Sequence, residues 1–498
     1  MGKLQEAQKR FTESMTLPNL KRRYRSAKKW AVRQPLLPAV LLGLAAAVLV
    51  AIAATLVLSW ILDIGTRKVQ PTELTTTVLT IVAGVGGVVF LVVAYRKQRD
   101  LESGRFVEHF GAAAQQLGHP DPAVRMAGVY AMAGVADQVH GLKRQQCIDV
   151  LCGYLRLPYS ADTGANHQHQ LVVRRLSGDL RPEIEEHHSY RQNDRVVRQT
   201  IVSVITAHLQ QTADISWSPY NFDFRKAVFE DAYFQGAWFT GEETLFNGTH
   251  FIGEETLFNG AHFTGTGVWF NGARFTSNYT RFDGAHFTSN YTLFSEVHFA
   301  GNHTLFSEAH FAGDYTHFDG AHFAATDTLF SKADFTGTDT RFVGAQFTGK
   351  TTHFIETSFT GQNISFAEAQ FAGKYTMLTG AQFTGEKTHF RRAHFVGEKT
   401  YFWGAHFTGE YISFGEAQFT GEYISFSEAQ FTGETSFIGA HFTGPTSFSP
   451  VDFGAKLVSF VDPKMWDPPP KFDWDDDPTS KPTNVEPADW PPVVKDDE

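Results

Sequence analysis

The sequence predicts three regions in order: two membrane-spanning helices, a small helical domain and a β-solenoid. Residues 39–62 and 74–95 are uncharged over 24 and 22 positions, and as helices these runs are long enough to cross a hydrocarbon core of about 30 Å. Apolar residues at helical spacing follow from residue 104. From Phe224 onward, phenylalanine recurs at five-residue intervals and then at alternating seven- and five-residue intervals, which neither a helix nor a single strand requires.

The two apolar runs predict a transmembrane hairpin over residues 36–95, preceded by a basic leader over 1–35. The leader holds 10 Lys or Arg against 2 Glu, and Arg96, Lys97 and Arg99 follow the second run. By the positive-inside rule this pattern predicts a multi-pass cell-membrane protein with both termini in the cytoplasm. The lipid bilayer is therefore an expected partner. The basic residues either bind anionic lipid or only set the topology.

Residues 96–216 predict a helical adaptor domain. Asp121 followed by Pro122 is a good start for a helix, and Val197, Ile201 and Ile205 make an apolar stripe on a later one. The polar stretch before that stripe predicts an exposed loop with a short ordered piece near residues 171–176. Its histidines lack the spacing of a zinc site.

Residues 217–460 carry the repeat that consumes most of the 46 phenylalanines. Units such as AVFED and AYFQG place a small residue two positions before each Phe, and from Phe239 to Phe431 two such units make a twelve-residue period. In a short strand the small residue and the Phe point inward while the residue between them points outward. Polar, Gly-rich residues then turn the chain. Such a chain buries its rings by stacking coil upon coil, which predicts a β-solenoid.

The stretch AVFEDAYFQGAWFTG and the later FTG-x-x-T-x-F units resemble pentapeptide-repeat proteins over about residues 222–460, and the whole layout resembles bacterial membrane-anchored members of that family. The resemblance implies a right-handed, four-sided β-helix. Twelve-residue double units then imply 24 residues per coil with two enlarged corners, or else a cross-section that is not square. End caps are expected from residues 194–216 with Trp217, and from residues 445–466.

The outward positions of the repeat carry two predicted histidine columns. They could titrate near neutral pH or bind metal, but the same positions accept Gln, Arg and Asp, which favours an ordinary surface. The columns consist of His262, His286 and His310 on one face, and of His250, His298 and His322, with Arg274 between them, on the opposite face.

The sequence shows no nucleophile with a positioned base, no phosphate-binding loop and no carboxylate pair in a predicted cleft. We therefore predict no catalytic, cofactor-binding or metal-binding residue, no cofactor and no enzymatic activity. Cys147 and Cys152 are expected to be free thiols.

Residues 461–498 hold 4 Lys against 11 Asp or Glu and are rich in proline, which predicts a disordered tail. Trp474 and Trp490 within it form either a short linear motif or part of a solubilising segment.

The expected function is a membrane-tethered cytoplasmic scaffold with a protein partner on the solenoid faces or the acidic tail. The alternative, which comes from the family resemblance, is an acidic rod that imitates DNA and binds a type II topoisomerase or another DNA-binding protein. The repeat region has 13 Lys or Arg against 25 Asp or Glu, so direct nucleic-acid binding is disfavoured. Self-association through the solenoid end or the spanning helices remains open.

Overall fold

The computed structural model describes residues 71–161, 170–175, 184–189 and 194–494, and three isolated positions at 52, 53 and 56. The chain divides at Glu108 into two units. The second unit, His109–Glu498, contains the solenoid and the helices next to it.

The described residues before the solenoid form helices α1 Pro71–Leu117, α2 Pro122–Gln138, α3 Leu142–Leu155 and α4 Asp194–His208. The carboxylate of Asp121 accepts a hydrogen bond from the backbone N–H of Ala123 at 2.8 Å and so caps α2, as the sequence predicts. The predicted apolar stripe is buried on α4. Between α3 and α4, strands Gln170–Arg175 and Ile184–Ser189 pair antiparallel, where the sequence predicted a loop with one ordered piece.

The prediction of two membrane-spanning helices is wrong for the described part of the chain. None of its helices has both the length and the apolar character that a membrane crossing needs. Residues 74–95 do not form a helix of their own, because they lie inside α1, which runs from Pro71 past Arg96 to Leu117. The multi-pass location with cytoplasmic termini is contradicted by the same finding. The first predicted span, residues 39–62, lies outside the described residues except at three positions.

The solenoid coils have four sides, with 24 residues per coil in the regular part of the repeat and 22 or 23 in coils near its two ends. Phe275 pairs in parallel with Phe299, and Thr280 with Thr304, so each residue meets its equivalent one coil on. The predicted 24-residue coil is therefore confirmed. Faces 1 and 3 have mainly two-residue strands, and faces 2 and 4 have mainly three-residue strands.

Face 1 is a nine-stranded sheet. Its strands are Trp238–Phe239, His262–Phe263, His286–Phe287, His310–Phe311, Asp334–Phe335, Ser358–Phe359, Gln382–Phe383, His406–Phe407 and Gln430–Phe431. Face 2 is a twelve-stranded sheet. Its strands are Phe222–Asp223, Glu243–Leu245, Gly267–Trp269, Tyr291–Leu293, Tyr315–His317, Asp339–Arg341, Asn363–Ser365, Lys387–His389, Tyr411–Ser413, Glu434–Ser436, Val458–Ser459 and Val485–Glu486.

Faces 3 and 4 share two longer strands, Val228–Tyr233 and His250–Leu257, that run around the corner between them. Face 3 continues with Arg274–Phe275, His298–Phe299, His322–Phe323, Gln346–Phe347, Gln370–Phe371, His394–Phe395, Gln418–Phe419, His441–Phe442 and Met465–Trp466. Face 4 continues with Tyr279–Arg281, His303–Leu305, Asp327–Leu329, Thr351–His353, Tyr375–Met377, Lys399–Tyr401, Tyr423–Ser425, Thr446–Phe448 and Lys471–Phe472.

The core consists of inward phenylalanines that meet edge to face across the coil. The rings of Phe282 and Phe294 have centroids 5.7 Å apart and planes at 87°, a favourable aromatic geometry. Both rings are fully buried, as is Ala285. The small residue leaves room for the rings, which explains the small-x-Phe triplet.

The helical elements close the N-terminal end of the solenoid. The carbonyl of Leu209 accepts a hydrogen bond from the backbone N–H of Trp238 at 2.8 Å, and that of Ser218 accepts one from Thr240 at 2.9 Å. Trp217 is fully buried, and its indole N–H donates to Asp137 at 2.9 Å. The first coil therefore does not present an open strand edge at these positions.

The opposite end differs from the sequence expectation, because residues 461–494 form a cap and not a disordered tail. Strands Met465–Trp466 and Lys471–Phe472 extend faces 3 and 4. Trp474 is buried and stacks on Phe472 with 4.8 Å between centroids, and Trp490 meets Phe472 edge-on at 4.9 Å. Proline and aspartate content suggested disorder, but the aromatic residues among them cover the last coil.

Candidate functional site

Solvent reaches the solenoid strands chiefly through the middle residue of each triplet. In Ala285-His286-Phe287 the outer two residues are buried and His286 is partly exposed. His310 repeats that position one coil further along. The outward residues therefore form columns with successive members about 4.8 Å apart, and any binding surface is assembled from such columns.

Face 1 carries a continuous stack of four aromatic rings. Trp238, His262, His286 and His310 lie in register, and their successive centroid distances are 4.0, 4.4 and 4.9 Å. At the end of the stack, Nδ1 of His310 lies 3.8 Å from a carboxylate oxygen of Asp334. The predicted histidine column on this face is confirmed, and Trp238 extends it.

Burial and proximity disfavour protonation within this stack. Partial burial lowers the pKa of His262, and the neighbouring His286 lowers it further. The pKa of His286 is lowered by its own burial and then by His310. Because stacked imidazolium ions one coil apart would repel each other, the neutral forms of His262 and His286 are favoured, and these two rings offer a flat surface to solvent.

Face 3 carries the second predicted column, with His250, Arg274, His298 and His322 in register. Here two rings meet through their nitrogens, because Nδ1 of His298 lies 3.0 Å from Nδ1 of His322, with ring planes 51° apart. Nε2 of His322 lies 3.0 Å from the hydroxyl oxygen of Thr348. This nitrogen-to-nitrogen contact distinguishes face 3 from the parallel stack on face 1.

Face 4 carries a cluster that we call the aromatic patch, defined as Tyr375, Met377, Tyr401, Trp403 and Tyr423. Tyr375 and Tyr423 belong to one column and Met377 and Tyr401 to the next, across three successive coils. Trp403 lies at the following corner and is 47% exposed. Exposed aromatic side chains on a rigid surface are typical of protein-binding hot spots.

Contacts within the aromatic patch hold its members in place. The ring of Tyr401 lies 5.0 Å from that of Trp403 and 5.9 Å from that of Tyr423, measured between centroids. The indole N–H of Trp403 donates to the hydroxyl of Ser425 at 2.9 Å. The patch is therefore partly ordered by its own contacts, and an ordered surface would lose less entropy on binding.

Lysines border the aromatic patch within an otherwise acidic repeat. Lys399 lies between Tyr375 and Tyr423 in their column. Lys374 is exposed, pairs with Glu398 at 3.1 Å and lies 5.6 Å from the ring centre of Tyr375. The border is therefore mixed in charge.

The acidic residues do not form one uninterrupted stripe. At the enlarged corner after face 1, Glu386 and Glu410 occupy successive coils, but Thr338 and Gln362 occupy the two coils before them. Glu416, at the next corner, is 2.7 Å from guanidinium nitrogens of both Arg391 and Arg392. These breaks and pairings weaken the comparison with a DNA backbone, whose charge repeats regularly.

A shallow depression between α4 and the first coil is built from mutually paired charged groups. Tyr159 donates to the Glu230 carboxylate at 2.6 Å, and Arg198 lies 4.5 Å from the centre of the Tyr159 ring. Arg195 pairs with Asp231 at 2.6 Å. Burial, followed by the Glu230 contact, raises the pKa of Tyr159. These groups hold α4 against the solenoid, so we interpret the depression as a packing site.

Both cysteines are buried free thiols, as predicted. Burial raises the pKa of Cys147 to about 11, and burial also raises that of Cys152. Because the thiolate is the reactive form, both side chains are inert at neutral pH. Across the part of the chain that the structure describes, no group of three or more His, Cys, Asp or Glu side chains is placed to hold a metal ion.

Sequence reasoning located the histidine columns but missed the aromatic patch. The signal was available, because Tyr375, Lys399 and Tyr423 are spaced by 24 residues, and the 24-residue coil places residues with that spacing in one column. The direct contact between His298 and His322 could not be predicted, because it depends on side-chain rotation.

Comparison with known proteins gives one family match. A family model described as "Pentapeptide repeats (9 copies)" matches residues 426–463, which lie near the C-terminal end of the solenoid. No curated protein and no solved structure matches the chain. The matched segment continues the same triplets and coil register as the coils before it. The solenoid of this chain is therefore a pentapeptide-repeat β-solenoid.

Proposed function

We propose that the protein is a non-enzymatic interaction scaffold that binds a protein partner through the aromatic patch on face 4. The observation that carries this proposal is the exposure of Trp403 beside Tyr401 and Tyr423 on a rigid sheet. Trp and Tyr dominate binding energy at protein interfaces, because they bury large areas while losing little conformational entropy.

The border of the aromatic patch suggests the chemistry of the partner. Lys350 and Lys374 occupy equivalent corners of successive coils beside it, and Lys399 lies between Tyr375 and Tyr423 in their column. A partner surface with apolar residues at its centre and carboxylates opposite Lys350 and Lys399 would complement the lysine side of this mixed border. The broken acidic columns give no comparable support to DNA imitation.

The proposal is tested by comparing two double variants of the full chain as baits in cell extract. Tyr401→Ser with Trp403→Ser removes the patch centre, and Ser425 and Ser427 already occupy the equivalent positions one coil on, so the coil should keep its fold. The control is Tyr291→Asn with Tyr315→Asn on face 2, because Tyr291 and Tyr315 are 41% and 37% exposed.

We expect the wild-type and control baits to retain the same partner in stoichiometric amount, and the patch variant to lose at least nine-tenths of it. Equal retention by both variants would exclude face 4 as the binding surface. Failure of the wild-type bait to retain any partner would argue against the scaffold function itself.

A further inference from the structure

Nδ1 of His298 and Nδ1 of His322 lie 3.0 Å apart, within hydrogen-bond distance of each other, and we propose that face 3 binds a divalent transition-metal ion of the copper or nickel type when both Nδ1 atoms are unprotonated. This site is separate from the aromatic patch, which lies on face 4. The sequence pattern alone favoured an ordinary surface, because Gln and Arg also occur in the column.

The distance between the two nitrogens selects the metal. Nδ1 of His298 and Nδ1 of His322 are 3.0 Å apart, and imidazole nitrogens bind such metals at about 2.0 Å. A metal bound to both nitrogens would therefore subtend an angle of about 95°. That angle fits the right-angled ligands of tetragonal Cu²⁺ or Ni²⁺ better than the wider tetrahedral angle of Zn²⁺.

Thr348 supports the protonation state that binding needs. Its hydroxyl oxygen lies 3.0 Å from Nε2 of His322 and can accept a hydrogen bond when Nε2 carries the proton. That tautomer leaves the Nδ1 lone pair free for a metal. Metal-binding histidines are commonly oriented by such a partner on the second ring nitrogen.

The solenoid backbone holds the two histidines at a fixed separation. His298 and His322 pair directly in register on adjacent strands, and each is followed by a fully buried phenylalanine, Phe299 or Phe323. The ligands are therefore brought together by the fold and not by the metal. In the described residues no third His, Cys, Asp or Glu joins them, so water would complete the coordination and the ion would exchange readily.

Neighbouring side chains show why the proposed metal site is confined to this one pair of histidines. Arg274 lies one coil before His298 in the same column, and its positive charge opposes cation binding. On face 1, His262 and His286 stack with planes only 8° apart, so their in-plane lone pairs do not converge. The proposed chelate is therefore specific to the tilted pair on face 3.

The test is titration of the full chain with Cu²⁺, following the first equivalent by calorimetry and electron paramagnetic resonance. First-equivalent binding must be resolved because the chain contains 21 histidines. We expect the electron paramagnetic resonance spectrum of the first bound Cu²⁺ to show two coordinated imidazole nitrogens. His298→Gln and His322→Gln should each weaken this binding at least tenfold, and both variants should fold because Gln346 occupies the next position in the column.

Two further variants serve as controls. His286→Gln on face 1 should leave first-equivalent affinity within twofold of wild type, and Arg274→Gln should increase it. The proposal is overturned if the double variant His298→Gln with His322→Gln binds the first Cu²⁺ as tightly as wild type, or if the resonance shows fewer than two imidazole nitrogens.

Discussion

Phe282 and Phe306 occupy the same position in successive coils, and their rings lie parallel with 4.8 Å between centroids and 2° between planes. Each also meets Phe294 edge-on, at 5.7 and 5.8 Å. The same phenylalanine rings therefore join successive coils and fill the interior of each coil. This packing makes the solenoid rigid and its outer columns regular.

Shortening one core ring should destabilise the solenoid by an amount that depends on the volume removed. Phe306→Ala should lower the free energy of unfolding by about 3 to 5 kcal/mol, because a cavity opens between stacked rings. Phe306→Leu should cost about 1 kcal/mol, since Leu378 already fills the equivalent position three coils on and is fully buried. Urea denaturation followed by circular dichroism measures both. Equal costs for the two variants would contradict the packing account.

The short corner after face 4 strains residues other than glycine. Glu308 has φ +57°, and Gly284 has φ +60° at the same corner one coil earlier. Glu308→Gly should therefore stabilise the solenoid by about 1 kcal/mol, because glycine adopts this left-handed conformation without a steric penalty. Glu308→Ala is the control for loss of charge and should give no such gain in urea denaturation. A similar gain from both variants would attribute the effect to charge.

A buried hydroxyl in the core lacks a hydrogen-bond partner. Thr388 is fully buried with its Oγ1 unpaired, and Ile364 and Ile412 are its neighbours in the adjoining coils. Thr388→Val should raise stability by about 1 kcal/mol, because an unpaired hydroxyl is costly to bury.

The control for this substitution is Thr249→Val. The hydroxyl of Thr249 donates to the carbonyl of Phe224 at 2.9 Å, so its removal should lower stability by about 1 kcal/mol. Thermal unfolding of both variants shows whether Thr388→Val raises stability and Thr249→Val lowers it. Destabilisation by Thr388→Val would show that its hydroxyl has a partner, such as a bound water.

The histidine stack should make stability fall as the solution becomes acidic. The pKa values of His262 and His286 are lowered in the folded chain, so between these values and the unfolded value of about 6.5 the unfolded state binds more protons. The contribution of these two histidines to the free energy of unfolding is therefore fully present above about pH 6.5, and it is lost as the pH decreases below that value.

We therefore expect the urea midpoint to decrease between pH 7.5 and pH 5.5, and the decrease to be smaller in the variant His262→Gln with His286→Gln. Carboxylates titrate in the wild type and in the double variant alike, so they lower the urea midpoint of both by the same amount. Gln382→Asn, in the same column, is the control that should keep the wild-type decrease. An unchanged decrease in the double variant would exclude the stack as its source.

The coil length could be predicted from the sequence because the phenylalanine pattern repeats at a fixed fraction of it. Two double units of twelve residues make one coil, and the pairing of Thr280 with Thr304 shows the same 24-residue step. The histidine columns followed from that register. The aromatic patch could have been found by the same arithmetic.

Other features could not be predicted because local composition and tertiary contacts conflict. Prolines and aspartates suggested disorder at the C-terminal end, whereas Trp474 and Phe472 are buried there by contacts with the last coil. Uncharged composition suggested that residues 74–95 form a separate span, whereas α1 Pro71–Leu117 continues well beyond them. Composition alone does not show where a helix ends or what covers an exposed edge.

The most direct test of the scaffold account is site-specific photo-crosslinking in cells that contain the full chain. A photoreactive amino acid replaces Trp403 in the aromatic patch or, in a second strain, Tyr291 on face 2, two positions with comparable exposure. The account predicts one discrete protein adduct from position 403 and none from position 291. Adducts of equal yield from both positions, or none from position 403, would contradict it.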